Sequence, residues 1–436
     1  MIQLPPDLPD RFLAANEVHA RPYEPIETPV RASYLAIQVD NNQREAERSH
    51  LRTLCERFGC SPPGEDLNQF SVPIGEFQLT WERHGEFSTY IVLVPGLPSR
   101  PFGDPAIDFL PQEWVRAIPG RVIVATHAQV MDAPAEALDA RLLTEYFGSA
   151  SVIGAEIGDG AGLAFTDFKI QHDGFVRFLM LARELNDYQV GRMLQRLFEI
   201  EAYRVLALLS LPIARRESPR VVEIERALAV LTGEMAREDR EDETLLGELT
   251  RVAAQVESAI SSTQYRFGAS RAYHDLVNAR IVDLRERRLP GLQTIGEFMA
   301  RRLSPAMATC ASLSRRLQEL SERVARASSL LSTRVSIARE RQNQTLLASM
   351  DRRARLQLRL QQTVEGLSVV AITYYVIGLV SYLMKSLDAA GLPLNPDLAT
   401  GLAIPVVGIS VLLAVRFVRR KVIGTPQQRN MLEIGD

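Results

Sequence analysis

The chain has 436 residues, of which 46% are hydrophobic and 24% are charged, and its formal net charge is -3 at pH 7. This near-neutral balance gives no argument for a nucleic-acid partner, and the length leaves room for two or three domains. The three cysteines, Cys55, Cys60 and Cys310, are too few for a disulfide framework and indicate a reducing compartment.

The first residues do not have the pattern of a signal peptide. Pro5, Pro6, Asp7 and Asp10 stand where such a peptide would carry a basic stretch and then an apolar run. We therefore expect apolar segments near the C-terminus to direct the chain to a membrane.

Residues 1–182 predict a mixed or antiparallel α/β domain. Short segments alternate between apolar and polar residues, and turn residues such as His84-Gly85 and Asp173-Gly174 separate them. The predicted strands are Val30–Val39, Glu76–Arg83, Glu86–Val94, Arg121–Val130, Ser151–Ile157, Leu163–Ile170 and Phe175–Leu181. Helical spacing predicts two helices, Arg44–Phe58 and Pro134–Phe147.

Residues 183–303 predict a helical array that packs against this domain. Val190–Leu211 carries a wide apolar stripe, and Pro212 predicts the end of that helix. Two further helices, Val221–Met235 and Thr244–Arg288, are predicted before Pro290-Gly291 closes the array.

Residues 304–363 predict one long stalk helix, because neither glycine nor proline occurs between Ala306 and Glu365. Apolar residues recur at alternating steps of four and three, as in a coiled-coil seam. The seam consists of Leu313, Leu317, Leu320, Val324, Ala327 and Leu331, continued with drift by Val335, Ala338, Leu346, Met350 and Ala354. A helix from Ala306 to Met384 would be ~120 Å long. Its seam therefore needs cover from residues 183–303 or from copies of the chain.

Two apolar segments near the end of the chain predict a transmembrane hairpin. Gly366–Met384 is nineteen residues without a charge, and Leu398–Val415 is eighteen, close to the ~20 residues that cross a bilayer. We assign 364–384 and 398–418 to the spans, 385–397 to a periplasmic loop and 419–436 to a cytoplasmic tail. In the second span Pro405 predicts a kink.

Basic residues beside the hairpin predict its orientation. Positive residues are retained on the cytoplasmic side of a membrane, so we expect both termini in the cytoplasm. The same side chains are expected to contact anionic lipid headgroups. They are Arg352, Arg353, Arg355, Arg359, Arg416, Arg419, Arg420 and Lys421.

The first span carries a polar face. Ser368, Tyr375 and Tyr382 recur every seven residues, and Gly378 lies beside them. Polar groups in hydrocarbon seek partners, so this face predicts contact between copies of the chain or the lining of a pore. Packing within the hairpin is the alternative, and Tyr382 also suits an interfacial anchor.

The segment Asn16–Pro22 is a candidate polar site. Glu17, His19 and Arg21 alternate, so in an extended segment their side chains would project together. Such a group suits a phosphate or a metal ion. The alternative is that it braces the N-terminal segment against the sheet, since one histidine and one glutamate do not make a metal site.

Other motifs do not indicate chemistry. Cys55 and Cys60 lack a second pair of ligands, and Gly154–Gly162 lacks the lysine and the glycine spacing of a phosphate-binding loop. Four acidic residues either gather at one sheet end and bind a cation or remain solvated: Glu156, Asp159, Asp167 and Asp173. We expect no resident cofactor, no metal and no enzymatic activity.

Three stretches carry a resemblance to a known family. They are NEVHARPYEP, GRMLQRLFEIEAYRVLALLSLP and ERQNQTLLASMDRRARLQLRLQQTVEGLSVVAITYYVIGLVSYL. They resemble a bacterial family of uncharacterised, membrane-anchored proteins, a domain of unknown function. The resemblance covers nearly the whole chain and implies no activity and no site residues.

The plan of the chain also resembles that of CorA-type divalent-cation channels. The resemblance implies a homo-oligomer, five copies in that family, whose long helix lines a pore for a cation. The motif differs, however. Where those channels carry Gly-Met-Asn after the first span, this chain reads Ser381–Ser386, and the nearest asparagine is Asn395. Lys385 at the outer mouth would also repel cations.

These observations lead to hypotheses from three classes. The first is an inner-membrane homo-oligomer on a CorA-like plan that conducts ions along the Ser368, Tyr375, Tyr382 face and is gated by its cytoplasmic domain. The second is a non-conducting, membrane-tethered scaffold or sensor. The third is a membrane-bound enzyme that uses Glu17, His19 and Arg21.

Overall fold

The computed structural model describes residues 7–12, 24–64, 67–134, 140–148, 151–237, 240–389 and 396–423. The chain divides into two compact units, Met1–Leu331 and Ser332–Asp436. Every described strand belongs to the first unit, whereas the described part of the second is helical.

A mixed sheet forms the centre of the first unit, as predicted. Its strands are β1 Val30–Gln38, β2 Gln69–Ile74, β3 Phe77–Arg83, β4 Phe87–Pro95, β5 Arg121–Asp132, β6 Ile153–Ile157, β7 Gly162–Thr166, β8 Val176–Ala182 and β9 Arg287–Arg288. Their order across the sheet is β2-β3-β4-β1-β5-β8-β7-β6-β9. Strands β5 and β8 are parallel, and the other neighbouring pairs are antiparallel.

Strand β1 separates two hydrophobic cores. Successive side chains of a strand point to opposite faces. Ala32 and Tyr34 accordingly belong to the core shared with the helical array. Leu35 and Ile37 belong to the core on the other face. Both faces of the sheet are therefore covered at β1, which explains why this strand is buried along almost its whole length.

Helices of the first unit pack on both faces of the sheet. They are α1 Arg44–Phe58, α2 Gln112–Arg116, α3 Ala140–Phe147, α4 Asp187–Leu208, α5 Ser210–Arg237, α6 Asp242–Leu284 and α7 Ile295–Arg302, followed by the start of α8 Ser304–Ala389. Asn186 and Gln189 form a capping box at the start of α4, which satisfies backbone N–H groups left free in the first turn. Phe198 of α4 stacks on Tyr34 of β1 with ring centroids 4.8 Å apart, so α4 lies directly on the sheet.

The prediction that Pro212 ends a helix is wrong. Helix α4 ends at Leu208, and Pro212 lies in the first turn of α5. The first N–H groups of a helix have no partner within it, so proline loses no hydrogen bond there.

The sheet has two strands that the sequence did not predict. Strand β2 contains Pro73, which is tolerated because β2 is an edge strand. At the other edge, β9 lies within the segment predicted to continue α6 to Arg288. Helix α6 ends at Leu284, because Arg285 takes a left-handed conformation with φ 50° and redirects the chain towards β6.

The predicted stalk helix is α8, and its seam is buried from Leu313 to Leu331. The six seam residues of this stretch are at most 6% exposed and belong to the same core as α5 and α6. The Arg316 guanidinium donates to both carboxylate oxygens of Glu225 at 2.9 and 2.7 Å. Helices of the array therefore supply the predicted cover, up to Leu331.

The described part of the second unit consists of the remainder of α8 and of α9 Pro396–Ile423. Helix α8 continues to Ala389, so it includes residues predicted to lie in the loop. A Cβ added to Gly408 of α9 would lie 4.0 Å from Cγ2 of Thr373, and the two helices are therefore adjacent there. Half-buried stripes mark the contact: Val369, Thr373, Val376, Val380 and Met384 on α8, and Ala403, Val407, Gly408, Val411 and Val415 on α9.

The close approach of α4 to the chain at Glu24 gives a stability prediction. A Cβ on Gly191 would lie 1.9 Å from the Glu24 carbonyl oxygen, whereas no described atom lies within 4 Å of a Cβ on Gly233 of α5. We expect Gly191→Ala to lower the free energy of unfolding by about 1–3 kcal/mol through overpacking. Gly233→Ala should raise it by about 0.5–1 kcal/mol, because alanine loses less backbone entropy in a helix.

Thermal melting of the detergent-solubilised protein measures both effects. Equal melting temperatures for the two alanine variants would contradict the close packing at Gly191.

Candidate functional site

Two described helices are long and apolar enough to cross a membrane, judged by length and composition. The apolar windows lie in the C-terminal part of α8 and in Thr400–Val418 of α9, and no residue of either window is buried inside the chain. Large apolar side chains such as Leu367, Leu379, Leu402 and Phe417 are 66–74% exposed. Exposed apolar surface on this scale marks an interaction surface.

The predicted polar face of the first span lies away from α9. Successive residues of a helix are about 100° apart, so Tyr375 and Tyr382 lie roughly opposite Thr373, the residue beside Gly408. Their side chains are 72% and 75% exposed. The hydroxyl of Ser368 donates to the Val364 carbonyl at 2.9 Å, which satisfies it within its own helix. Gly378 lies among the half-buried residues of α8.

The predicted headgroup-contacting residues stand on both helices of the second unit. Arg352, Arg353 and Arg359 are exposed on α8, and Arg355 pairs with Asp351 one turn earlier, at 2.6 Å. On α9 Arg416 is exposed. The side chains of Arg419, Arg420 and Lys421 lie outside the described residues. Contact with lipid stays a prediction for all eight.

The N-terminal candidate lies outside the described residues, because Glu17, His19 and Arg21 fall within 13–23. Its role stays a prediction. Within the described ranges, no three His, Cys, Asp or Glu side chains are grouped so that they could hold a metal ion.

The four acidic residues near the sheet end have separate partners. Glu156 accepts from Arg183 at 2.8 Å, and Asp159 pairs with Arg285 at 2.6 Å. Asp173 pairs with Arg177 at 3.4 Å, and Asp167 accepts from the Gln171 amide at 2.8 Å. These partners are hydrogen-bond donors, so the carboxylates help to fix turns and strand ends.

A buried carboxylate attaches α1 to the sheet. Glu47 is fully buried. Its oxygens accept from Trp81 Nε1 at 3.0 Å, from the Tyr90 hydroxyl at 2.9 Å and from Arg83 at 3.2 Å. Desolvation, and then the charge of Glu47, raise the pKa of Tyr90, so the phenol remains a donor. The three partners of Glu47 are themselves buried, so the carboxylate has a structural role.

A buried histidine joins the two central strands. His127 of β5 is 4% exposed, and its ring stacks on Phe175 with centroids 3.8 Å apart. Its Nδ1 lies 2.9 Å from Ser33 Oγ, which accepts from the Ile107 N–H at 3.0 Å. The Ser33 hydroxyl is thus free to donate to Nδ1. Desolvation lowers the pKa of His127 to about 4, which keeps the ring neutral at pH 7.

Comparison with known proteins places the chain in a family. A family model described as "Protein of unknown function (DUF3422)" matches residues 6–422. The chain belongs to this family. The resemblance expected from the three quoted stretches is thereby confirmed, since all three lie within the match. No curated protein and no solved structure matches, and the likeness to CorA-type channels is not confirmed.

The pKa of His127 gives the DUF3422 protein a predicted pH dependence. Above pH 6.5 the ring is neutral in both the folded and the unfolded chain. Between pH 6.5 and about pH 4, the His127 imidazole is protonated in the unfolded chain but neutral in the folded chain. The free energy of unfolding therefore falls as the pH is lowered through this range. The predicted loss is about 3 kcal/mol.

Unfolding measured at pH 7 and at pH 4 tests this. We expect His127→Gln to remove most of that loss, whereas His172→Gln, at an exposed position, should keep it. A His127→Gln variant with the wild-type pH dependence would show that other groups cause the loss.

Proposed function

We propose that this member of the DUF3422 family is an inner-membrane homo-oligomer that serves as a tethered scaffold or sensor. Its α8–α9 hairpin would anchor the chain, and its first unit would lie in the cytoplasm. The exposed apolar surface that α8 retains in the second unit carries this proposal.

The hairpin supports the anchoring role. The contact at Thr373 and Gly408 uses one side of each helix, and the apolar side chains on the other sides are exposed. Among the hydrocarbon tails of lipids, which are as apolar as leucine, exposure of such a surface carries no free-energy penalty. Exposed arginines stand before the first span and, at Arg416, near the end of the second, which favours cytoplasmic termini.

The segment of α8 before the span supports self-association. Leu346, Met350, Leu360 and Val364 lie along one stripe and are 55–67% exposed. Leu346, Met350 and Leu360 precede the first span, which begins at Val364, so lipid tails do not cover these three side chains in the proposed arrangement. Arg353 and Gln357 occupy the intervening seam positions. Polar residues in a seam lower its stability but fix the register of the helices.

Self-association through this stripe is testable with two matched double variants. Leu346→Ser with Leu360→Ser changes the stripe, while Leu347→Ser with Leu358→Ser changes equally exposed leucines about 100° away. If assembly buries both leucines, their loss at about 2 kcal/mol each should weaken assembly by at least about a hundredfold. Light scattering after size-exclusion chromatography in detergent measures the particle mass.

We expect a multimer for the wild type and the control, and single copies for the stripe variant. A wild type that is a single copy would contradict the proposal, as would equal masses for all three proteins.

Ion conduction is the second candidate function. It is favoured by the position of Tyr375 and Tyr382, whose exposed hydroxyls lie away from α9 and could face a common axis in an oligomer. A ring of such hydroxyls would line a polar path.

Liposome experiments separate the two functions. For a scaffold or sensor, we expect reconstituted protein to pass Mg²⁺ and K⁺ no faster than protein-free liposomes do. Flux that is reduced by Tyr375→Leu but retained in Tyr374→Leu would establish conduction along the predicted face. Tyr374 is a suitable control because it is similarly exposed, at 76%, on a neighbouring face.

A further inference from the structure

A cleft lies between α6 and the first turns of α8, entirely within the first unit. Its volume is about 270 Å³, and its walls include Phe267, Ser270 and His274 of α6 and Met307, Cys310 and Ala311 of α8. That is the liquid volume of about nine water molecules. It approaches the size of pockets that hold small ligands.

The sequence explains why the helices leave this space. Around the cleft α6 reads Phe267-Gly268-Ala269-Ser270, and α8 reads Ala308-Thr309-Cys310-Ala311. Apart from Phe267 these side chains are short and do not reach across the gap between the two helices, whereas the leucines that follow on α8 are buried. Protein interiors are otherwise close-packed, so the gap is a local feature of these small residues.

Two polar atoms at the cleft are buried without a partner among the described residues. They are Ser270 Oγ and His274 Nε2. Ser270 is 1% exposed. A serine within a helix usually bonds to a carbonyl one turn earlier, as Thr263 of the same helix does to Ala259 at 2.7 Å. Because an unpaired buried hydroxyl is costly, Ser270 indicates that a hydrogen-bonding group from outside the chain completes the site.

The thiol at the back of the cleft is already engaged. Ser210 Oγ donates to the Ala207 carbonyl at 2.9 Å, and it lies 3.2 Å from Cys310 Sγ. The Ser210 oxygen therefore accepts from the thiol. Cys310 thus forms part of the wall, and the groups left for a ligand are those of α6.

The charges of the residues that line the cleft indicate which kind of ligand it suits. Arg271 stands at the exposed rim, His274 is half-buried, and the lining residues include no aspartate or glutamate. Guanidinium, imidazole and hydroxyl groups can all donate to a carboxylate. Phe267 and Met307 offer apolar surface beside them. A ligand with an anionic head and a short apolar tail fits both parts.

We propose that this cleft binds a small aliphatic monocarboxylate, with Ser270, Arg271 and His274 holding the carboxylate and with Phe267 and Met307 contacting the tail. The site is independent of the anchoring and self-association proposed above. Because the ligand would bridge α6 and α8, its binding would stabilise the contact between them.

Calorimetric titration of the full-length protein in detergent with hexanoate tests the proposal. Hexanol and hexylamine share the tail but have a neutral or a cationic head. We expect saturable binding of one hexanoate per chain, with hexanol and hexylamine at least roughly tenfold weaker. Equal binding of hexanol would overturn the assignment of an anionic ligand.

Two variants, each with a matched control, locate the binding. Ala311→Phe fills the cleft and should abolish binding, while Ala325→Phe, at an exposed position further along α8, should leave it unchanged. Arg271→Gln should weaken hexanoate but not hexanol, and Arg251→Gln on α6 should change neither.

Hexanoate uptake that is the same in Ala311→Phe as in the wild type would show partition into the micelle and would overturn the proposal. If Ala311→Phe does not fold, the exposed Arg271→Gln variant decides, since unchanged hexanoate affinity there also overturns it.

Discussion

Burial of the first part of α8 in the core of the first unit is the interaction on which the other features depend. From Leu313 to Leu331 its apolar stripe lies in the same core as the sheet-facing side chains of α4, and each fully buried leucine contributes about 2 kcal/mol. The bidentate Arg316–Glu225 pair adds directional bonds at the rim of this contact. The same helix later presents apolar side chains that its own chain does not cover. One element therefore belongs to a packed hydrophobic core at one end and carries exposed apolar surface at the other.

The sheet shows how polar groups can be enclosed without chemistry. Glu47 and His127 are both buried, and isolated polar residues in apolar strands are often read as catalytic. Each has at least one hydrogen-bond partner on a neighbouring strand, which is the usual condition for burial of a polar group. Ser270 is different, because it is buried without such a partner. The missing partner together with the position at an open cleft, rather than residue type, makes Ser270 a candidate binding group.

Sequence patterns predicted the elements that have strong local signals. The bounds of α1 were predicted correctly because its helical spacing ends before Gly59, which takes the left-handed conformation at the helix end. The α8 seam was predicted through its repeat. Strand β9 was missed because two residues carry no periodic signal, and β2 was missed because Pro73 reads as a strand breaker.

The cleft was also missed. Small residues such as Ala311 and Ser314 do not reveal which helix they will face, and the gap depends on the packing of α6 against α8.

The two borders of the sheet also limit how copies of this protein can meet. An unpaired outer strand can recruit a strand from another molecule. Here one outer strand, β2, contains Pro73, which has no N–H to donate, and the other, β9, is two residues long. Neither offers a regular ladder for strand exchange between molecules. Copies of the chain that crowd together would then meet through helical surfaces, with little tendency to join their sheets into fibres.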